Sequence, residues 1–108
     1  MVALQGFQKR YLRGVAHALK PVVFVGQRGF TTQLVDALNE ALDRHELVKI
    51  KFVEFKEKDR KQAIIAKLED AAACELVDRI GHMATFYRRQ TDPEKRKIVL
   101  PVRPPSSP

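Results

Sequence analysis

The chain has 108 residues, 44% hydrophobic and 31% charged, the balance of one soluble folded domain and not of a disordered chain. Its apolar runs end after four or five residues, as in Val22–Val25, so no segment approaches the roughly 20 that a membrane-crossing helix needs, and Met1–Arg10 lacks an export signal's apolar core. A lone cysteine, Cys74, excludes an internal disulfide or a four-cysteine zinc site and implies a reducing, cytoplasmic setting, while a net charge of +7 points to a polyanionic partner.

Phe7–Leu19 reads as a helix. Phe7, Tyr11, Val15 and Ala18/Leu19 recur at helical spacing, with Leu12 on the flank. Lys9, Arg13, His17 and Lys20 recur as well, within a sector of about 80° facing away from that stripe. Like charges four apart destabilise a helix by about 0.2–0.5 kcal/mol per pair, so a basic ridge without acidic neighbours suggests an external anion. Lys20-Pro21 ends the helix, because a residue before proline avoids the α region. Pro21–Val25 is a short buried strand, and Gly26-Gln27-Arg28-Gly29 a tight loop. Thr31 or Thr32 caps a second helix that buries Leu34, Val35, Leu38, Ala41 and Leu42 and runs to about His45.

Leu47–Phe55 alternates Val48, Ile50 and Phe52 with Lys49 and Lys51, the pattern of a strand with one wet face. After the charged connection Lys56–Lys61, a third helix carries Ile64, Ile65, Leu68 and Ala72, with Asp59 its expected cap and Gln62 three residues on. Leu76–Ile80 and Met83–Arg88 form a hairpin around Gly81-His82. Ile98-Val99-Leu100 can dock on the body, and residues 101–108, ending in PPSSP, read as a disordered tail. The order α-β-α-β-α-β-β implies an α/β fold with a partly parallel sheet, its last strand antiparallel.

Charge is segregated along the chain. Residues 1–35 carry +5, residues 36–78 carry −3 and residues 79–108 carry +5. If the fold unites the two ends, they make a polyanion-binding face. A strand, then G-x-x-G, then a helix is itself an anion-binding device. Glycines admit a phosphate close to the backbone, the helix start offers free N–H groups, and Arg28 adds a charged fork. GxxG clamps of this kind hold nucleic-acid backbones. Taken alone the loop is also compatible with a plain tight turn.

The run Leu19–Thr31 (LKPVVFVGQRGFT) resembles the signature of the CRM domain, the chloroplast RNA splicing and ribosome maturation family. So do Leu12-Arg13 with Ala16-His17, the run His45–Lys51 (HELVKIK), and Ile80-Gly81 followed by Tyr87-Arg88. The likeness spans about residues 5–100 and is nearer to the single-domain bacterial YhbY type than to multi-domain plant splicing factors. It implies a four-stranded mixed sheet packed by helices, akin to the C-terminal domain of bacterial translation initiation factor three. It further implies rRNA binding in precursors of the large ribosomal subunit. By position the resemblance assigns the RNA contacts to Gly26, Gln27, Arg28 and Gly29 and to Lys9, Arg10, Arg13, His17 and Lys20. Gln27 is neutral where many members carry a cation. The basic C-terminal extension has no assigned role.

Lys49 and Lys51 either extend the RNA surface or protect a sheet edge. One of Arg88 and Arg89 is expected to contact RNA and the other to be solvated, and Arg88 joins the candidate set. Phe30 reads as sealing the start of the second helix in preference to stacking on a base. His17, His45 and His82 lie in separate elements without ligand-spaced partners, so no metal is expected, and no nucleophile–base pair suggests an enzyme. The expectation is a monomeric, non-catalytic, cofactor-free RNA-binding protein with no membrane role. The alternatives are a ribosome-associated protein adaptor and a general RNA-binding or splicing cofactor.

Overall fold

The computed structural model describes residues 3–54 and 57–103. Among these residues three α-helices and four strands follow the expected order, α1 (Gly6–Ala16), β1 (Val23–Val25), α2 (Thr32–His45), β2 (Leu47–Phe52), α3 (Lys58–Ala71), β3 (Glu75–Ile80) and β4 (Met83–Tyr87), and a short 3-10 turn of helix follows at Pro93–Lys95. The strands form one mixed sheet in the order β1-β2-β4-β3. β1 runs parallel to β2, and β4 lies antiparallel between β2 and β3. The fold is therefore α/β, as the alternation predicts.

Strand periodicity sorts the side chains into two faces. Val23, Val25, Val48, Ile50, Phe52, Ala84 and Phe86 turn to one face, where Leu34, Leu38 and Leu42 of α2 and Ile64, Ile65 and Leu68 of α3 complete the main core. Leu47, Val77 and Tyr87 turn to the other, against Leu12 and Ala16 of α1. Ile98 and Leu100 pack on this second cluster, so the expected docking of the C-terminal segment occurs, although Val99 points outward.

Local chemistry sets most boundaries. Thr31 Oγ1 accepts from Leu34 N–H at 3.1 Å and caps α2. α3 begins one residue before Asp59; Glu57 holds the cap position without a side-chain bond, and Asp59 sits in the first turn. Burying Lys61 is made tolerable by its ammonium donating to Gly81 O at 2.9 Å and meeting His82 Nδ1 at 3.3 Å, which ties α3 to the β3–β4 turn. Phe55, the expected end of β2, lies outside the described residues, as does the PPSSP run. Pro101, placed in the tail by sequence, accepts a 3.1 Å hydrogen bond from Gln8 Nε2 and so belongs to the body.

Candidate nucleic-acid interface

The Gly26–Gly29 loop leaves β1 at the open end of its pairing with β2 and delivers the chain to α2. Gly29 N–H donates to Gly26 O at 3.0 Å, closing a four-residue turn. Gly29 is buried and has φ of +68°, a conformation that strains any residue with a Cβ. Gly26 differs: a Cβ there would meet nothing within 4 Å, and its φ is not positive. The fold thus demands glycine at Gly29 and leaves Gly26 free. Gln27 and Arg28 stand exposed at the tip, beside a groove lined by Phe24, Gln33 and Ala37. The first turn of α2 carries no acid, so nothing there offsets the positive end of its dipole.

The rest of the predicted cations divide. Arg13 and His17, from the last turn of α1, share a depression with Lys49, Met83 and Thr85 on the sheet. Lys20 borders a neighbouring groove that Lys49 also lines. Lys51 is exposed on the same face, paired in register with Phe24 of β1. Arg13, His17, Lys20, Lys49 and Lys51 are therefore gathered on one side of the sheet, and Arg28 follows directly from its edge strand.

Three residues go elsewhere. The buried strip of α1 is Leu12 and Ala16, while Tyr11, Val15 and Leu19 are exposed. The basic ridge therefore flanks the contact with the sheet and does not oppose it, which turns Lys9 toward β3. There its ammonium lies 3.6 Å from Glu75, an acidic partner that the ridge was expected to lack. Arg10 faces Phe7, Tyr11, Pro101 and Arg103, away from the loop. Arg88 is the clearest correction. Its guanidinium donates to Asn39 Oδ1 and Ala72 O at 2.6 Å, to Asn39 O at 3.0 Å and to Asp43 Oδ1 at 2.9 Å. It joins α2 to the end of α3 in the helical layer. It also lies beyond the Leu47 end of β2, about 17 Å of strand from the loop end. A charge so fully hydrogen-bonded is structural. The groups that hold it come from two separate segments, α2 and the end of α3, which no local pattern discloses.

Sequence reasoning passed over Phe24 as a core residue of a buried strand, yet it is 57% exposed. The signal was present in the alternation Val23-Phe24-Val25, whose outer members are buried. Phe30 is also partly exposed, with the Lys67 ammonium 5.7 Å from its ring centre, a cation–π contact across to α3. Cys74 is buried, and burial followed by the neighbouring Glu69 pushes its thiol up to about 12, so it is no nucleophile at neutral pH. Among the described residues no three His, Cys, Asp or Glu side chains group as metal ligands, and no helix is long and apolar enough to cross a membrane.

Fold and loop define a class, a single-sheet α/β domain with a GxxG turn between its first strand and second helix. The profile of the CRS1 / YhbY (CRM) domain matches residues 4–88, and the chain belongs to that family. An RNA-binding protein of Haemophilus influenzae is 38% identical over 94% of this chain and 98% of its own length. One from Pseudomonas aeruginosa, named a probable RNA-binding protein, is 36% identical over 87% of this chain and 89% of its own. A Staphylococcus aureus protein solved in solution, described as a hypothetical protein and candidate RNA binder, superposes with a TM-score of 0.76. It is 31% identical and covers 92% of this chain and 100% of its own.

Proposed function

We propose that the protein is a non-catalytic RNA-binding protein that holds RNA by its backbone and assists assembly of the large ribosomal subunit. The observation that carries the binding mode is the closed Gly26–Gly29 turn. It presents Arg28 at the start of α2, on the rim of a face bearing Arg13, His17, Lys20, Lys49 and Lys51. A phosphate oxygen fits beside Gly26, where no side chain intervenes, with the Arg28 guanidinium as its charge-assisted donor. The relatives' names support RNA as the polyanion, and the family resemblance supports rRNA of a large-subunit precursor as the particular target. Backbone contacts of this kind position a protein without reading much sequence, so structured RNA is recognised mainly through shape.

Neutralising about five phosphates gives a slope of log affinity against log salt of roughly −3.5 to −4.5. Arg28→Glu is expected to weaken binding to a large-subunit rRNA fragment at least tenfold while leaving Tm nearly unchanged. Unaltered affinity would remove the loop from the interface. The biological target is checked by sedimenting a lysate through sucrose at low and high salt. Co-migration with a large-subunit precursor that disappears at high salt supports the assembly role; a protein that stays at the top of both gradients contradicts it.

A further inference from the structure

The face of the sheet that α1 only half covers holds a row of side chains of which RNA-backbone recognition uses Lys51 alone. The register aligns Phe24 of β1 with Lys51 of β2, Lys51 with Met83 of β4, and Met83 with Ile80 of β3. With strands about 4.8 Å apart, this row is about 14 Å long. Its two ends are open, Phe24 at 57% and Ile80 at 71% exposure. The second hydrophobic cluster, where α1 sits, begins at Leu47 and Tyr87 and does not reach the row. Isolated exposed apolar residues are ordinary, but three of them in one row across the sheet, with only Lys51 between, make an interaction surface.

Charge selects the occupant. On this face β1, β2 and β4 carry only cations, Lys49 and Lys51, and Arg13 and His17 of α1 border it. The acids on the face are confined to β3: Asp78, one row from Ile80 and facing Arg13, His17 and Lys49 across their shared depression, and Glu75, at the far end and already engaged by Leu4 N–H and Lys9. An aromatic ring beside a lysine suits a flat, electron-rich group attached to an anionic strand. Phe24 also precedes Gly26 by two residues, about 7 Å along the strand. A nucleotide whose phosphate rests on the turn has its base within reach of the ring.

We propose that Phe24 is a stacking platform for an unpaired RNA base, with Met83 and Ile80 extending the apolar floor and Lys51 beside it, so that the protein prefers single-stranded nucleotides next to the phosphate it clamps. This rests on the proposed role of the loop and adds a base-dependent contact to it.

The test uses the full chain and two fluorescein-labelled probes: an unstructured RNA 12-mer, and a strand of equal length and charge with abasic sites at its centre. Base–aromatic stacking predicts that Phe24→Ala weakens 12-mer binding about five- to a hundredfold. It leaves the abasic affinity and the salt slope unchanged, and Phe24→Tyr restores wild-type binding. Arg28→Glu weakens both probes. If Phe24→Ala binds the 12-mer as wild type does while Arg28→Glu is weakened, the platform is wrong and the loop stands; the row then serves something other than RNA. If Phe24→Ala weakens both probes equally, the loss is not stacking and the platform is again wrong. A base-dependent loss in Phe24→Ala with no effect of Arg28→Glu supports the platform and overturns the loop. A matching Tm for Phe24→Ala excludes misfolding.

Discussion

Three backbone amides converge on the Glu46 carboxylate, which is only 1% exposed. Gln90, Lys97 and Ile98 donate to it at 2.8, 2.5 and 3.0 Å, and Arg88 N–H donates to its backbone oxygen at 2.9 Å. Glu46 does this from φ of +62°, a left-handed position that carries strain for a non-glycine residue. Removing the carboxylate leaves buried donors unpaired, so Glu46→Ala should destabilise the protein by about 2–4 kcal/mol. It should also speed amide exchange at Gln90, Lys97 and Ile98; an unchanged urea midpoint would contradict the clamp. The two loop glycines should separate in the same assay. Gly29→Ala loses about 1 kcal/mol through its positive φ, whereas Gly26→Ala keeps its stability and loses RNA affinity. Cys74 gives a signature at high pH. Its thiol is raised from 9.0 to about 12, so the folded state retains a proton that the unfolded state releases. The stabilisation is complete below pH 9 and lost as pH rises toward 12, by up to about 1.4 kcal/mol per unit. Tyr87 is raised in the same direction by burial and by Glu46, adding to the loss above pH 10. Urea midpoints at pH 8 and 10 should show a smaller fall in Cys74→Ala than in wild type. Among these roles only the glycine turn was legible in sequence. Nothing near Glu46 shows that amides more than forty residues later will turn back to it.

At the level of elements, legibility followed the width of the buried strip. α2 contacts the main core along Leu34, Leu38 and Leu42, and its sequence period leaves no other choice. β2 buries Val48, Ile50 and Phe52 and wets Lys49 and Lys51, as simple alternation requires. α1 is harder because it is apolar on two sides, and the sheet has room for only one. The face with Leu12 and Ala16 wins because Leu47, Val77 and Tyr87 offer a narrow patch on a sheet otherwise lined with polar groups. Leu12→Ala should therefore cost about 2–5 kcal/mol. Tyr11→Ala and Val15→Ala, on the stripe favoured by periodicity, should cost less than about 1 kcal/mol. Chemical denaturation of the three variants ranks them directly, and the reverse order would restore the sequence-based placement. The same rotation explains why Lys9 meets Glu75 while Arg13 and His17 stay beside the open face.

Across the whole molecule, two helices cover one side of the sheet and a single helix covers part of the other. The N-terminal third supplies Arg13, His17, Lys20 and Arg28 to that partly covered side and the acidic middle supplies Lys49 and Lys51, so the basic face is assembled by the fold from both stretches. The strap from Arg88 to Pro101 completes the second side. It is held by Glu46 at one end, by Gln8 at the other, and by Ile98 and Leu100 between. Although a relative that matches 94% of the chain extends into it, this strap lies past residue 88, where the family profile stops. A chain cut there keeps every strand yet strands a carboxylate in the interior and bares the flank of α1. The fold thus closes only after its last strand, and the segment from Arg89 to Pro101 works as a seal that the sheet and its three helices do not supply.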